Sequence, residues 1–156
     1  SPMGVKEFKK EFKEYLGFRL ITDKDVMLIL NWRNSDHVRC FMHNSEIIPE
    51  HAHIKWFNKV LNSDSDLYFI YEIDNKEIGL LYFNDIKNHS SEWGFYLGSK
   101  TNSKGIGTEM LQKGLELAFN IIKLKTLKAT VTKNNEKSKY IHEKLGFVEI
   151  NNHKCV

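Results

Sequence analysis

Residues 91–122 read SEWGFYLGSKTNSKGIGTEMLQKGLELAFNII. Ser91 to Leu97 has the composition and alternation of a strand, Gly98 to Gly107 is a glycine-bearing loop, and Met110, Leu111, Leu117, Ala118, Ile121 and Ile122 recur at helical spacing. The loop closes on Asn102-Ser103-Lys104-Gly105-Ile106-Gly107. Glycines where a helix begins let backbone approach a ligand and leave amide N–H groups pointing outward. Those groups and the helix dipole favour a bound anion, typically a phosphate. Alone, the same glycines also read as a tight turn. No Gly-Lys-Ser/Thr follows, and the third glycine and distal acid of a dinucleotide fingerprint are missing.

Working outward, Leu67 to Ile73 and Glu77 to Asp85 read as strands joined by the turn Asp74-Asn75-Lys76, and Asn88 to Ser90 turns the chain into the strand at 91–97. Downstream, Leu127 to Thr132 is a strand, Glu136 to Leu145 a helix and Phe147 to Ile150 the start of another strand. Upstream, residues 5–16 carry Phe8, Phe12, Tyr15 and Leu16 at helical spacing, and residues 18–22 form a short strand. A helix over 24–34 is capped by Thr22 or Asp23, with Val26, Ile29, Leu30 and Arg33 on one side. A helix over 49–62 opens on Pro49 and buries Ile54, Phe57 and Leu61, flanked by Trp56 and Val60. The order is β-α-α-β-β-β-α-β-α-β, read as one α/β domain over residues 5–156.

Composition bounds the function. The 156 residues are 41% hydrophobic and 28% charged with a net charge of +3, an ordinary globular balance too weakly basic to argue for nucleic acid. No apolar run approaches the roughly 20 residues of a membrane span. Residues 1–4 show no signal-peptide pattern and are left out of the fold reasoning. Cys40 and Cys155 stand apart without metal spacing, which suits a reducing cytoplasm, and His51 and His53, two apart, are not helical ligand spacing; no metal is expected.

A second signal follows the first: Asn135-Glu136-Lys137-Ser138, then His142-Glu143-Lys144-Leu145-Gly146-Phe147. Read locally, Asn135 is a helix N-cap and Gly146 a C-cap. Taken in order with the glycine loop, the chain resembles the GNAT superfamily of N-acetyltransferases, whose Arg/Gln-x-x-Gly-x-Gly/Ala loop precedes a helix, a strand and an Asn-x-x-Ala/Ser segment. The resemblance covers nearly the whole chain. It implies a central mixed, mostly antiparallel sheet flanked by helices, in which the fourth and fifth strands, at 91–97 and 127–132, splay apart. It also implies acetyl-CoA in that opening: Phe95, Tyr96 and Leu97 along the pantetheine, Lys104, Gly105, Ile106, Gly107 and Thr108 on the diphosphate, and Asn135 and Ser138 beside the pantetheine arm. Asn102 stands where the family has Arg or Gln, and His142 where the family has the Tyr that protonates the departing thiolate. Histidine can donate a proton near neutral pH, or it can simply pack beside the cofactor. Glu92 is the candidate base that neutralises the acceptor amine; its alternative reading is an edge carboxylate in water.

On the acceptor side, Asn31-Trp32-Arg33-Asn34 and His53-x-x-Trp56 resemble the GNAT branch that includes acetyltransferases of the flagellin-sugar (pseudaminic acid) pathway and, more distantly, ribosomal-protein N-terminal acetyltransferases. The resemblance implies a UDP-linked 4-amino-4,6-dideoxy sugar as acceptor. Arg33 would pair with a phosphate or carboxylate, Trp56 or Tyr82 pack on the uracil or sugar, and His53 bond a ring hydroxyl. Equally open are a Trp32/Trp56 core and a structural ion pair at Arg33. Three functions stand: an amino-sugar nucleotide N-acetyltransferase, an N-terminal or small-amine acetyltransferase, and a silent CoA-binding module. Each is read as cytoplasmic, monomeric or homodimeric, with a small-molecule partner. Only nine residues follow Phe147, room for one strand and the beginning of another, so a shortened final strand or an edge completed by a partner is expected.

Overall fold

The computed structural model describes residues 4–42, 44–99, 105–151 and 154–155, with side chains described to residue 150. Helices are α1 (Val5–Glu11), α2 (Val26–Asn34), α3 (Asp36–Arg39), α4 (Glu50–Leu61), α5 (Ile106–Glu116) and α6 (Glu136–Lys144). Strands are β1 (Phe18–Leu20), β2 (Leu67–Ile73), β3 (Lys76–Lys87), β4 (Ser90–Leu97), β5 (Thr126–Thr130), β6 (Glu149–Asn151) and β7 (Lys154–Cys155). They form one sheet in the order β1-β2-β3-β4-β5-β7-β6, antiparallel except that β4 and β5 run parallel.

The central meander follows from its turns. Asp74 and Asn75 (φ 52° and 63°), then Asn88 and His89 (φ 52° and 61°), adopt the left-handed backbone that matches strand twist in tight hairpins. Alternation then sends side chains to two separate cores. Phe69, Tyr71, Leu81, Phe83 and Trp93 face one layer with Phe8 of α1 and Met110 and Leu111 of α5. Tyr68, Ile70, Leu80 and Tyr96 face the other with Ile29 and Trp32 of α2 and Phe57 and Val60 of α4. Because both faces are covered, β2 is buried over five consecutive residues from Leu67.

Several expectations change. The first helix stops at Glu11: Phe12 is already extended, and Leu16 and Gly17 (φ 51° and 93°) turn the chain into β1. Thr22 caps a short 3₁₀ turn at Asp23–Asp25 through a capping box, and α2 starts only at Val26. The buried stripe of α4 is His53, Phe57 and Val60, whereas Ile54 is 40% exposed. The helix is turned so that His53 donates from Nε2 to the Val26 carbonyl at 2.8 Å. α5 runs into a wider π-type turn at Leu117–Ile121. Both β6 and β7 are present after Phe147, with β7 inserted between β5 and β6.

Gly98 closes β4 where the α2 layer ends. A Cβ there would lie 2.7 Å from the Trp32 indole, which is buried in the second core. Gly98→Ala is therefore expected to lose about 1–3 kcal/mol of stability through overpacking, seen as a lower urea midpoint. An unchanged midpoint would show that the Trp32 contact does not constrain β4.

Candidate active site

Pairing between β4 and β5 runs from Ser90↔Thr126 to Trp93↔Ala129 and ends there. β4 continues to Leu97 against β3 alone. The Gly98 amide donates to Ile78 on β3, so alternation turns the backbone groups of Phe95 and Leu97 to the opposite side, where no strand lies beside them. The His37 Nε2, from α3, meets the Leu97 carbonyl at 2.9 Å. Phe95 thus carries an amide and a carbonyl into an open V between the parted strands. Tyr96, expected beside the cofactor, is corrected: its backbone serves the β3 ladder and its phenol packs in the second core.

Beyond the V lies the start of α5. Gly105 is its N-cap at φ 93°, with nothing within 4 Å of where a Cβ would stand. Ile106, Gly107 and Thr108 supply first-turn amides without helical partners. Lys104, assigned to the same cradle, lies outside the described residues, as does Asn102. Across the V, Thr132 has a buried hydroxyl with no partner among the described residues. Asn135 caps α6, its Oδ1 accepting from the Ser138 amide at 3.1 Å. A strand edge, a helix start and a hydroxyl, each without a partner among the described residues, fit a long ligand with amides in its middle and phosphates at its end.

His142 and Ser138 do not reach that groove. The His142 ring is 2% exposed, with Nε2 3.0 Å from Trp93 Nε1 and Nδ1 2.8 Å from the Ser138 carbonyl. Both ring nitrogens are engaged inside the fold, so no proton points at the cleft. The Ser138 hydroxyl turns toward the same ring at 3.3 Å.

The residues expected on the acceptor side lie toward the opposite face of β4. Trp56, Tyr68, Tyr82 and Tyr96 form a continuous row of rings, with centroids 5.5, 4.9 and 5.9 Å apart. Trp56 is 36% exposed at its outer end. The Tyr82 phenol crosses β4 over Gly94, where any Cβ would overlap it. Arg33 is 92% buried. Its Nη2 donates to the Asn44 carbonyl at 3.1 Å, and its Nη1 is buried with no partner among the described residues. Burial pushes the Tyr82 and Tyr96 phenols up, and the Arg33 charge opposes this at both. Glu92 lies on this face, exposed, its Oε1 accepting from the Thr130 hydroxyl at 3.3 Å. The fold thus gathers Arg33, Trp56, Tyr82 and Glu92 on one face. It leaves out His53, whose Nε2 is spent on Val26. Sequence reasoning missed His37, Gly94 and Thr132. Only Gly94 carried a signal, a glycine inside an aromatic strand.

This is the architecture of an acyltransferase whose thioester donor lies in a split sheet. The Acetyltransferase (GNAT) domain family matches residues 16–148, and the chain belongs to that family. It is an N-acetyltransferase, and acetyl-CoA is the acetyl donor of such enzymes. Among curated proteins it is 31% identical over 130 residues to acetyltransferase PseH of Campylobacter jejuni strain 81-176, spanning 83% of this chain and 81% of that protein. It is 29% identical over 94 residues to the spermidine N(1)-acetyltransferase of Escherichia coli K12, spanning 58% of this chain and 50% of that one. Among solved structures, the Vibrio cholerae spermidine N-acetyltransferase in complex with CoA and spermine superposes with a TM-score of 0.78 at 22% identity, covering 86% of this chain and 81% of that one. No helix among the described residues is long and apolar enough to cross a membrane, and no group of side chains there could hold a metal ion.

His53 and His142 give the fold an acid sensitivity. Burial lowers both pKa values, opposed by the carbonyls of Val26 and Ser138. A histidine with a folded pKa below its unfolded value keeps its full stability above about pH 6.5, and loses it as pH falls from there through the folded value. The urea midpoint is therefore expected to drop between about pH 7 and about pH 5. A midpoint flat across that window would contradict the burial of both rings.

Proposed function

We propose that this enzyme acetylates the 4-amino group of a UDP-linked amino-dideoxy sugar, in the cytoplasm and as a monomer or homodimer. The observation that carries the reading is Arg33, a buried guanidinium with a free Nη1 and no carboxylate in hydrogen-bond contact among the described residues. A buried charge without a counter-ion is costly, and a ligand that brings a phosphate removes the cost through charge-assisted hydrogen bonds. The aromatic row ending at Trp56 suits a uracil or sugar face. The similarity to PseH points the same way.

The residues divide the work. The open groups of Phe95, the Leu97 amide, the amides from Gly105 to Thr108 and the Asn135 side chain hold acetyl-CoA, with Lys104 assigned to the diphosphate from its sequence position. Acetyl-CoA supplies an activated acetyl thioester. Glu92, on the acceptor face, takes a proton from the acceptor ammonium so that the nitrogen lone pair can attack. Tyr82 and Trp56 orient the acceptor, and Arg33 anchors its phosphate. No enzyme nucleophile takes part; Cys40 lies on the exposed surface beyond α3.

The relatives that act on spermidine motivate a second reading, a polyamine acceptor. Mass spectrometry with acetyl-CoA and a panel of a UDP-4-amino sugar, spermidine and an N-terminal peptide decides between them. The UDP-sugar is expected to be acetylated fastest; preference for spermidine would overturn the reading. Arg33→Ala is expected to raise KM for the nucleotide sugar about 10–100-fold, the worth of a hydrogen bond to a charged group, while the KM for acetyl-CoA holds. Glu92→Gln is expected to lower kcat about 10²–10⁴-fold with CoA affinity kept; unchanged turnover removes Glu92 from the base role.

A further inference from the structure

The Trp93–His142–Ser138 chain is a buried polar connection that acetyl transfer does not use. Its geometry fixes the histidine tautomer. An indole nitrogen only donates, so His142 Nε2, 3.0 Å from Trp93 Nε1, must be the unprotonated nitrogen. The single ring proton then sits on Nδ1 and goes to the Ser138 carbonyl at 2.8 Å. An imidazolium carries a proton on each nitrogen and would set Nε2–H against the indole N–H. The neutral ring satisfies both neighbours; the charged ring cannot.

The position of this chain gives it a consequence. Trp93 is the last β4 residue paired with β5. Ser138 lies in the first turn of α6, and its amide is held by Asn135, the capping residue placed on the cofactor arm. The ring joins β4 to α6, packed against Phe147 at 4.9 Å, Trp93 at 5.9 Å and Phe95 at 6.3 Å between centroids. We infer that neutral His142 is a positioning residue for acetyl-CoA: it locks the first turn of α6 to β4 where β5 departs, and its protonation releases that lock and weakens cofactor binding.

Among the described residues no counter-ion stands ready to stabilise a charged ring. The side chains facing it are Trp93 and Phe95 from β4, Phe147 after α6 and Ser138 from α6 itself. On α6, Glu136, Lys139 and Glu143 are exposed. On β5, Lys128 and Thr130 are exposed on the face opposite Leu127 and Ala129, and Glu109 of α5 is paired with Lys113. Burial holds the ring below the ordinary histidine value, in keeping with this surrounding.

Two measurements test the inference. Ring ¹⁵N NMR on the free protein should show His142 with Nδ1 protonated and Nε2 bare, titrating below the ordinary histidine value. A protonated Nε2 in the neutral ring would overturn it. Calorimetry then compares CoA affinity from about pH 7.5 to about pH 5 in the native chain, His142→Gln and His142→Ala. The glutamine oxygen can accept from Trp93 and cannot take up a proton. The 3′-phosphate of CoA titrates alike in all three, so the difference between profiles is the reading. The native chain should lose about tenfold more affinity than His142→Gln over that window, and His142→Ala should bind about tenfold more weakly than His142→Gln at every pH. Coincident profiles for the native chain and His142→Gln would overturn the positioning role.

Discussion

The ending of β4–β5 pairing at Trp93 and Ala129 is the constraint on which the site depends. Two parallel strands part only where something else holds each of them, because a buried backbone donor or acceptor left unpaired costs about 1–3 kcal/mol. β4 is held on its other edge by the full length of β3 and on both faces by aromatic packing. β5 is held on its far edge by β7. His37 takes one of the exposed groups, the Leu97 carbonyl. What remains open is a short row of strand hydrogen-bonding positions at Phe95, in line with the start of α5. That is a place for an extended amide-bearing ligand, and it exists because the sheet is secured everywhere around it.

The two faces of β4 then carry separate duties. Trp93 and Phe95 project toward α5 and α6, where the surroundings are apolar and His142 supplies the one polar link. Glu92 and Tyr96 project the other way, with the bare backbone of Gly94 between them making room for the Tyr82 phenol. One strand therefore sends one face to the first core and the other to the second, and keeps the far part of its edge for the donor of the proposed function. A one-residue register slip in β4 would exchange those faces, placing Trp93 among polar groups and Glu92 in the core. The bulge between Asn84 and Lys87 takes up the irregularity before that register begins.

How much of this was legible in the sequence varied with the range of the interaction. The meander and α5 were plain because their signals are local: Asp74-Asn75, Asn88-His89 and a glycine at the start of a helix. The stripe of α4 was not, since Ile54/Phe57/Leu61 and His53/Phe57/Val60 are both spaced for a helix face. The choice fell to a carbonyl on α2, 27 residues away in the chain. The helix start at Gly105 was legible from its backbone requirement, whereas the packing of Tyr96 in the second core was not. His142 was the hardest residue to read. Its neighbours on α6 resemble a family motif, but its partner is Trp93, 49 residues earlier, and that contact converts a candidate acid into a buried acceptor.

The acceptor face bears on which amines the enzyme can take. A polyamine arrives with several positive charges and needs carboxylates or carbonyls around it. Among the described residues this face offers an exposed carboxylate, Glu92, and sets a buried guanidinium behind the aromatic row. At an effective dielectric near 20, two like charges about 6 Å apart repel by roughly 3 kcal/mol, and an opposite pair gains as much. In the proposed function Arg33 would therefore discriminate twice, penalising a cationic acceptor and rewarding one that carries phosphate. Its hydrogen bond to the Asn44 carbonyl orients the guanidinium without neutralising it. In that proposal the Nη1, which has no partner among the described residues, would take the acceptor's anion, and an acceptor without one would give that buried donor no partner.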